Sequence, residues 1–312
     1  MDFRETKAKT ILIPCKIPGI DYVINPYTGC SFGCIYCYAS FMGRFIKGKS
    51  IDDWGEYVFA KVNAPDLLKK EVEKKFKNKG KGKEIFLSSV TDPYQGIEAK
   101  YKLTRKCLEV LEKFSFEGYI SILTKSHLVL RDIDILKKLK HVVVGITITS
   151  TNDSISRYFE KKAPNVSDRF KALKKLNKAG IRTYAFIGPL LPHFIACEDE
   201  LEKVFKQLVA VGTRDIFIEH LNLTTYIKNR LIKEMKGSKS EIVEKFYQSQ
   251  DEDYRSKLDD SIKKLVRKYK MNLLTDTVIF HKEYQVKEAK KKNPWKHTDN
   301  QNKRTFSKVR VS

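Results

Sequence analysis

Val142-Val143-Val144-Gly145-Ile146-Thr147-Ile148-Thr149 is the stretch whose reading decides the fold. At a period of two, positions 142, 144, 146 and 148 are all Val or Ile, whereas the alternate positions end Gly145, Thr147, Thr149. Alternate residues of a strand point to opposite faces. The pattern therefore predicts a strand with helices packed on its branched face and small polar side chains on its inner one. A filled barrel core would place bulky branched residues on that inner face, so the expectation is a working lumen.

Outward from this strand, residues Asp21 to His220 alternate short β-branched runs with amphipathic runs, the signature of a parallel sheet with helical crossovers. Strands are expected near Tyr22 to Asn25, Glu84 to Ser89, Tyr119 to Thr124, Val142 to Thr149, Arg182 to Ile187 and Asp215 to His220. Helices are expected near Pro65 to Lys77, Leu103 to Phe114, Arg131 to Leu139, Ser167 to Ala179 and Cys197 to Val211, with Gly180 as a C-cap. Six βα units with no sign of a seventh or eighth predict an α/β fold of partial (β/α)6 TIM-like barrel type, open at the side to a large substrate. Residues 1–20 then form a lead-in and 21–221 the barrel. Residues 222–281 read as a helical extension in which Asn272 to Phe280 can add a strand, and 282–312 as a basic, flexible tail.

The chain has 312 residues, enough for a sizeable core, so a small scaffold stapled by disulfides or metal is excluded. Lys and Arg number 61 against 38 Asp and Glu, a net charge of +23, which implies a polyanionic partner or surface and says nothing about fold. Met1 to Thr10 is polar and carries acidic residues, unlike a secretory signal, and no apolar run approaches the length of about 20 residues that a membrane span needs. The expected location is the cytoplasm, with no membrane partner. In a reducing compartment clustered cysteines read as metal or redox ligands before disulfides.

Three of the six cysteines fall in Gly29-Cys30-Ser31-Phe32-Gly33-Cys34-Ile35-Tyr36-Cys37-Tyr38, just after the first expected strand. Spacings of four and three put three thiolates on one compact loop, and the glycines permit the turns that let them converge. Three ligands leave one coordination position open. A structural zinc site usually closes with a fourth ligand, often from a second Cys pair. Cys15, Cys107 and Cys197 supply no such pair, so zinc would have to recruit a single distant Cys or His.

Cys-x3-Cys-x2-Cys with an aromatic residue before the third cysteine resembles the signature of the radical S-adenosylmethionine (SAM) superfamily. The resemblance implies a [4Fe–4S] cluster on Cys30, Cys34 and Cys37, SAM on the fourth iron, and hydrogen abstraction by a 5′-deoxyadenosyl radical. The partial barrel, read separately from the strand pattern, is that superfamily's fold. Asn25-Pro26-Tyr27-Thr28-Gly29-Cys30, Thr91-Asp92-Pro93-Tyr94-Gln95, Leu123-Thr124-Lys125-Ser126 and Ala179-Gly180-Ile181-Arg182-Thr183 are similar to the group of spore photoproduct lyase and DNA repair photolyase-like proteins. One departure stands out: the lyase's hydrogen-donor cysteine lies just before its Asp-Pro, where this chain has Ser88-Ser89-Val90-Thr91. Dimer reversal by the lyase's route is thereby put in doubt, and a tyrosine or another termination would have to stand in.

The same resemblance nominates SAM contacts. Lys125 would pair with the SAM carboxylate, Ser88, Ser89 and Thr91 would accept from its amino group, and Thr147, Thr149 and Ser150 would meet its carboxylate or ribose. Gly188 and Pro189 would lie where the backbone passes the adenine, and Tyr36 would present its backbone to the same ring. Each has a plainer alternative: a solvated lysine, turn chemistry before Asp92-Pro93, threonine favouring strands, a strand-to-loop break, or simple packing. Glu219 and His220, ending the sixth strand, are rim candidates for substrate contact.

Lysine concentrates between Lys69 and Lys83, with eight Lys and two Glu, and in the tail from Lys282. Lys77-Asn78-Lys79-Gly80-Lys81-Gly82-Lys83 has no apolar content and suits sequence-independent phosphate contacts. Three function classes follow: a radical SAM enzyme acting on DNA or RNA by repair or modification, one acting on a peptide or protein, and a non-catalytic nucleic-acid-binding metalloprotein. The first two also require an electron donor such as flavodoxin or ferredoxin.

Overall fold

The structure, a computed structural model, describes residues 1–237 and 240–280. The basic tail expected at 282–312 lies outside the described residues. The strands are β1 (Asp2–Thr6), β2 (Leu12–Pro14), β3 (Tyr22–Ile24), β4 (Tyr27–Thr28), β5 (Tyr57–Lys61), β6 (Glu84–Leu87), β7 (Tyr119–Thr124), β8 (Val142–Ile148), β9 (Arg182–Leu190), β10 (Asp215–His220) and β11 (Asn272–Leu273). The helices are α1 (Ala64–Lys75), α2 (Glu98–Tyr101), α3 (Leu103–Lys113), α4 (Ile133–Leu136), α5 (Asp153–Glu160), α6 (Val166–Lys178), α7 (Glu198–Ala210), α8 (Thr225–Glu234), α9 (Ser240–Gln248) and α10 (Glu252–Tyr269).

The six expected strands form one parallel run in the order β10-β9-β8-β7-β6-β3. Two short strands extend it: β11 joins β10 in parallel, and β2 joins β3 antiparallel. Asn272 to Phe280 thus does add a strand, and a single bridge between Glu219 and Ile279 continues the pairing. The N-terminal stretch is more than a lead-in, because β1 pairs in parallel with β5, which pairs antiparallel with β4 in a separate small sheet. No helix among the described residues is long and apolar enough to cross a membrane.

The alternation in β8 works as expected on one face and only half as expected on the other. Val144, Ile146 and Ile148 are fully buried in the main core with Leu173 and Leu176 of α6. On the inner face, Val143 packs with Tyr184 against Tyr119, Leu123, Phe186, Phe217 and Leu274. A Cβ on Gly145 would fall 2.1 Å from the Tyr184 ring, so glycine here makes room for an aromatic from the next strand and leaves no open space. Burial of one such ring contributes about 1.5–3 kcal/mol. The N-terminal half of the lumen is therefore a packed plug, and the small polar residues Thr147 and Thr149 stand above it.

The third expected helix is shorter than predicted. A 3-10 turn over His127–Asp132 precedes the single turn of α4, with the Ser126 hydroxyl accepting from the Leu128 amide at 3.2 Å. Its polar residues are committed elsewhere: Arg131 pairs with buried Glu98 at 2.7 Å, and Arg105 of α3 pairs with buried Asp132 at 3.1 Å. Gly180 does cap α6, at φ +77°, with the Ile181 amide returning to the Leu176 carbonyl at 3.1 Å. A helix that sequence reading missed, α5, starts on Asn152, whose side chain accepts from the Ser154 amide at 2.8 Å.

Candidate cofactor site around the cysteine loop

The cysteine loop leaves β4 and crosses the C-terminal end of the sheet, the end where βα-loops gather in barrels of this kind. Gly29 has φ +83°, and a Cβ there would lie 2.3 Å from the Tyr57 carbonyl oxygen and 2.6 Å from its ring. The loop can therefore lie on β5 only with glycine at this place. Its carbonyl accepts from the Thr91 hydroxyl and from Gln95 Nε2 at 3.2 Å, while Gln95 Oε1 accepts from the Ser31 amide at 2.8 Å. Gln95 thus clamps both sides of Cys30.

Cys30 and Cys34 are buried and Cys37 is partly so. Burial pushes all three thiols up, Cys34 to about 12 with Lys125 acting against the rise, and Cys30 well above its ordinary value, with Asp92 adding to the rise. Metal ligation would displace these protons. Among the described residues no set of three His, Cys, Asp or Glu side chains converges on one ion. A cubane asks each cysteine to reach a different iron.

Lys125, one residue past β7, is held by its backbone: its amide donates to Asp92 Oδ2 at 2.8 Å, while the Thr124 hydroxyl donates to Asp92 Oδ1 at 2.6 Å. Its ammonium lies 3.9 Å from Glu160 Oε1 and 5.8 Å from the centre of the Tyr36 ring. Burial alone would lower Lys125, but Cys34 and Glu160 outweigh it and hold the ammonium protonated. The solvated-lysine alternative does not describe this environment.

Glu160 and Arg169 carry the part of the site that sequence reading missed. Arg169 is fully buried, with Nη2 paired to Glu160 Oε2 and Nη1 donating to the Thr147 carbonyl at 3.3 Å. Glu160 also accepts from the Tyr36 hydroxyl and from Ser156 Oγ at 2.7 Å. Burial pushes the Glu160 carboxyl up, but Arg169 and then Lys125 outweigh it and bring it down to about 2. The aromatic residue of the cysteine motif is thereby tied through one buried ion pair to the fourth strand of the parallel run. The only local signal is Asn152-Asp153 as a helix start.

The nominated residues divide. Ser88, at φ +70°, and Thr149 present buried hydroxyls with no hydrogen-bond partner, each one residue past the C-terminal end of its strand, β6 and β8. Ser89 donates its amide to Asn25 Oδ1 at 3.0 Å and offers its carbonyl to the Tyr38 hydroxyl. Thr91, by contrast, is committed to the distant Gly29 carbonyl and to Gln95, and Ser150 Oγ accepts from the Asn152 amide at 3.0 Å, which is turn chemistry. Gly188, ahead of a cis Pro189, has its open side filled by Glu219 Cβ and the Phe186 ring, each 2.8 Å from a Cβ placed there. Glu219 lies on the inner face and acts electrostatically on Cys37 and Tyr38. His220 is turned the other way by strand alternation, with ring centres 6.3 Å from Tyr254 and 5.1 Å from Phe280, and is not a rim residue.

Three cysteine thiols, two of them buried, a retained ammonium and two orphaned hydroxyls past the C-terminal ends of the strands fit a [4Fe–4S] cluster and the polar end of SAM. The donor set is chemically right for iron–sulfur ligation, and buried hydroxyls without partners require an acceptor or donor from outside the chain. Comparison with known proteins agrees. The chain is 44% identical over 193 residues to an uncharacterised protein of Methanocaldococcus jannaschii, covering 62% of this chain and 69% of that one. It is 22% identical over 227 residues to spore photoproduct lyase of Clostridium acetobutylicum, covering 72% and 63%. A solved spore photoproduct lyase, complexed with dinucleoside spore photoproduct, superposes with TM-score 0.65 at 16% identity over 86% of this chain and 79% of that one. The family profile described as "Radical SAM superfamily" matches residues 24–218, and the chain belongs to that superfamily of enzymes.

Proposed function

We propose that this radical SAM enzyme acts on a nucleic acid, DNA or RNA, to repair or modify it. The observation that carries this reading is the rim beside the cysteine loop. Tyr38 and Phe45, the two ends of the 3-10 segment that follows Cys37, expose 44% and 75% of their surface, Arg44 lies 5.7 Å over the Tyr226 ring, and Lys228 lies 4.6 Å over the Tyr247 ring. Aromatic faces interleaved with cations suit unstacked bases and the backbone between them, and an enzyme that reacts with a base must take it out of its stack. The solved lyase that superposes on this chain is complexed with dinucleoside spore photoproduct.

In this reading Cys30, Cys34 and Cys37 hold the cluster, Lys125 pairs with the SAM carboxylate, and Ser88 and Thr149 offer hydroxyls to SAM. Glu219 stands on the substrate side. When bound, the cluster supplies the electron that cleaves SAM to a 5′-deoxyadenosyl radical. Tyr38, whose hydroxyl donates to the Ser89 carbonyl, places a phenolic O–H beside the segment where the lyase keeps its thiol. A flavodoxin or ferredoxin in the cytoplasm serves as electron donor, its acidic surface matched to a chain of net charge +23. The lysine loop at 77–83 precedes β6, at the opposite end of the strands from the cysteines, so phosphates held there flank the reacting nucleotide and do not surround it.

The test is anaerobic reconstitution, then SAM and reductant with deuterated DNA, RNA or peptide. Nucleic acid should stimulate 5′-deoxyadenosine formation and pass deuterium into it. Stimulation and transfer from peptide alone would overturn the substrate assignment and favour a peptide-modifying enzyme.

A further inference from the structure

Three buried hydrogen-bond donors lie behind the cysteine loop with nothing to donate to: Trp54 Nε1, the Tyr57 hydroxyl and Arg230 Nη1. Their residues are only 6%, 0% and 8% exposed. Leaving one buried donor unpaired costs about 1–3 kcal/mol, and indole and guanidinium can only donate. A triad of this kind needs an acceptor.

The loop itself lies against them. The Tyr57 ring packs on Gly29, next to Cys30, and a Cβ on Gly33, next to Cys34, would meet Gly55 Cα at 3.3 Å and the Trp54 carbonyl at 3.9 Å. The Trp54 and Tyr57 ring centres are 6.2 Å apart at 81°. Arg230 arrives from α8, anchored by Nη2 to the Ile51 carbonyl at 2.6 Å, and its charge acts on Cys37 and Cys34. Two segments far apart in sequence thus bring donors to the cysteine loop.

We propose that Trp54, Tyr57 and Arg230 donate to the sulfurs of the cluster held by Cys30, Cys34 and Cys37, and so raise its reduction potential. This rests on the cofactor reading of the loop. Sulfide and thiolate carry the negative charge that such donors lack, and reduction adds one more charge for them to stabilise. Trp54 and Tyr57 come from a stretch outside the cysteine motif, and Arg230 from the helical extension beyond the family match, so this chain would tune its cluster with residues the motif does not contain.

The reconstituted wild type and the variants Trp54→Phe, Tyr57→Phe and Arg230→Met would be compared by redox titration followed by electron paramagnetic resonance. Trp54→Phe and Arg230→Met should each disfavour reduction about tenfold, which is about 59 mV for a one-electron couple, with iron content unchanged. Potentials equal to wild type in all three would overturn the proposal. A second readout needs no change at the loop: in a Trp295→Phe background, which leaves Trp54 as the one tryptophan, 15N-indole labelling should give a nitrogen coupling to the reduced cluster. Its absence would overturn Trp54 as a donor and assign the triad to buried water. Wild-type protein that forms no [4Fe–4S] spectrum would instead overturn the cofactor reading beneath both experiments.

Discussion

The two ends of the same inner sheet face are built to opposite rules. Toward the N-terminal ends of the strands, Tyr119, Val143, Tyr184, Phe186 and Phe217 fill the space, and Gly145 gives up its side chain so that a ring can sit over it. Toward the C-terminal ends, the hydroxyls of Ser88 and Thr149 are buried without partners, and Lys125 is held charged among cysteines. One end satisfies itself, whereas the other is complete only with something added. Stability and chemistry are thereby separated along strands only a few residues long.

Substitutions at the two ends should separate in kind. The largest effect is expected for Cys34→Ala: visible absorption of the reconstituted cluster and reductive SAM cleavage should both fall below detection, with the far-ultraviolet dichroism of the fold retained. Residual SAM cleavage in that variant would break the assignment of the chemical end. Glu160→Gln lies on the boundary, leaving Arg169 buried without its counter-charge, and should cost about 3–5 kcal/mol in denaturant unfolding. Tyr184→Ala empties the plug and should cost about 3 kcal/mol, while iron bound per folded chain stays at the wild-type level. Thr149→Val should leave stability unchanged or slightly raised, because an orphaned hydroxyl is removed, yet weaken SAM binding about tenfold, or about 1.4 kcal/mol, by equilibrium dialysis. The Glu160 pair should also show in acid. Glu160 has its carboxyl lowered from 4.5 to about 2, so its contribution is fully present above pH 4.5 and is lost as pH falls toward about 2. The Glu160→Gln variant should lack that part of the acid transition.

Sequence reading recovered the plug's strands better than the site's wiring. The six parallel strands are visible because β-branched runs such as Val142 to Ile148 are buried on both faces. The small sheet was hidden, since Asp-Phe-Arg-Glu-Thr in β1 is mostly polar and exposed and pairs with a strand more than fifty residues away. Cys30, Cys34, Cys37 and Lys125 could be found because a local motif or a strand end announces them. Glu160 and Arg169 could not: on a chain rich in charges they look like two more solvated helix residues, and only the turn between α5 and α6 brings them together. Ser88 and Thr91, read as one group, turned out to differ for a similar reason. The Thr91 hydroxyl is used by the Gly29 carbonyl, an acceptor sixty-two positions back in the sequence.

The placement of the lysine loop at the far end of β6 also acts as a ruler. Five steps separate Lys83 from Ser88, about 17 Å of strand at about 3.3 Å each. A duplex that touches the loop while delivering a nucleotide to the cysteine end must therefore extend at least about five base pairs, at about 3.4 Å per step, beyond the reacting position. On the proposed nucleic-acid reading, a dinucleoside would be too short to bridge that span, so the smallest unit that reacts and the shortest substrate held at both ends would be different molecules.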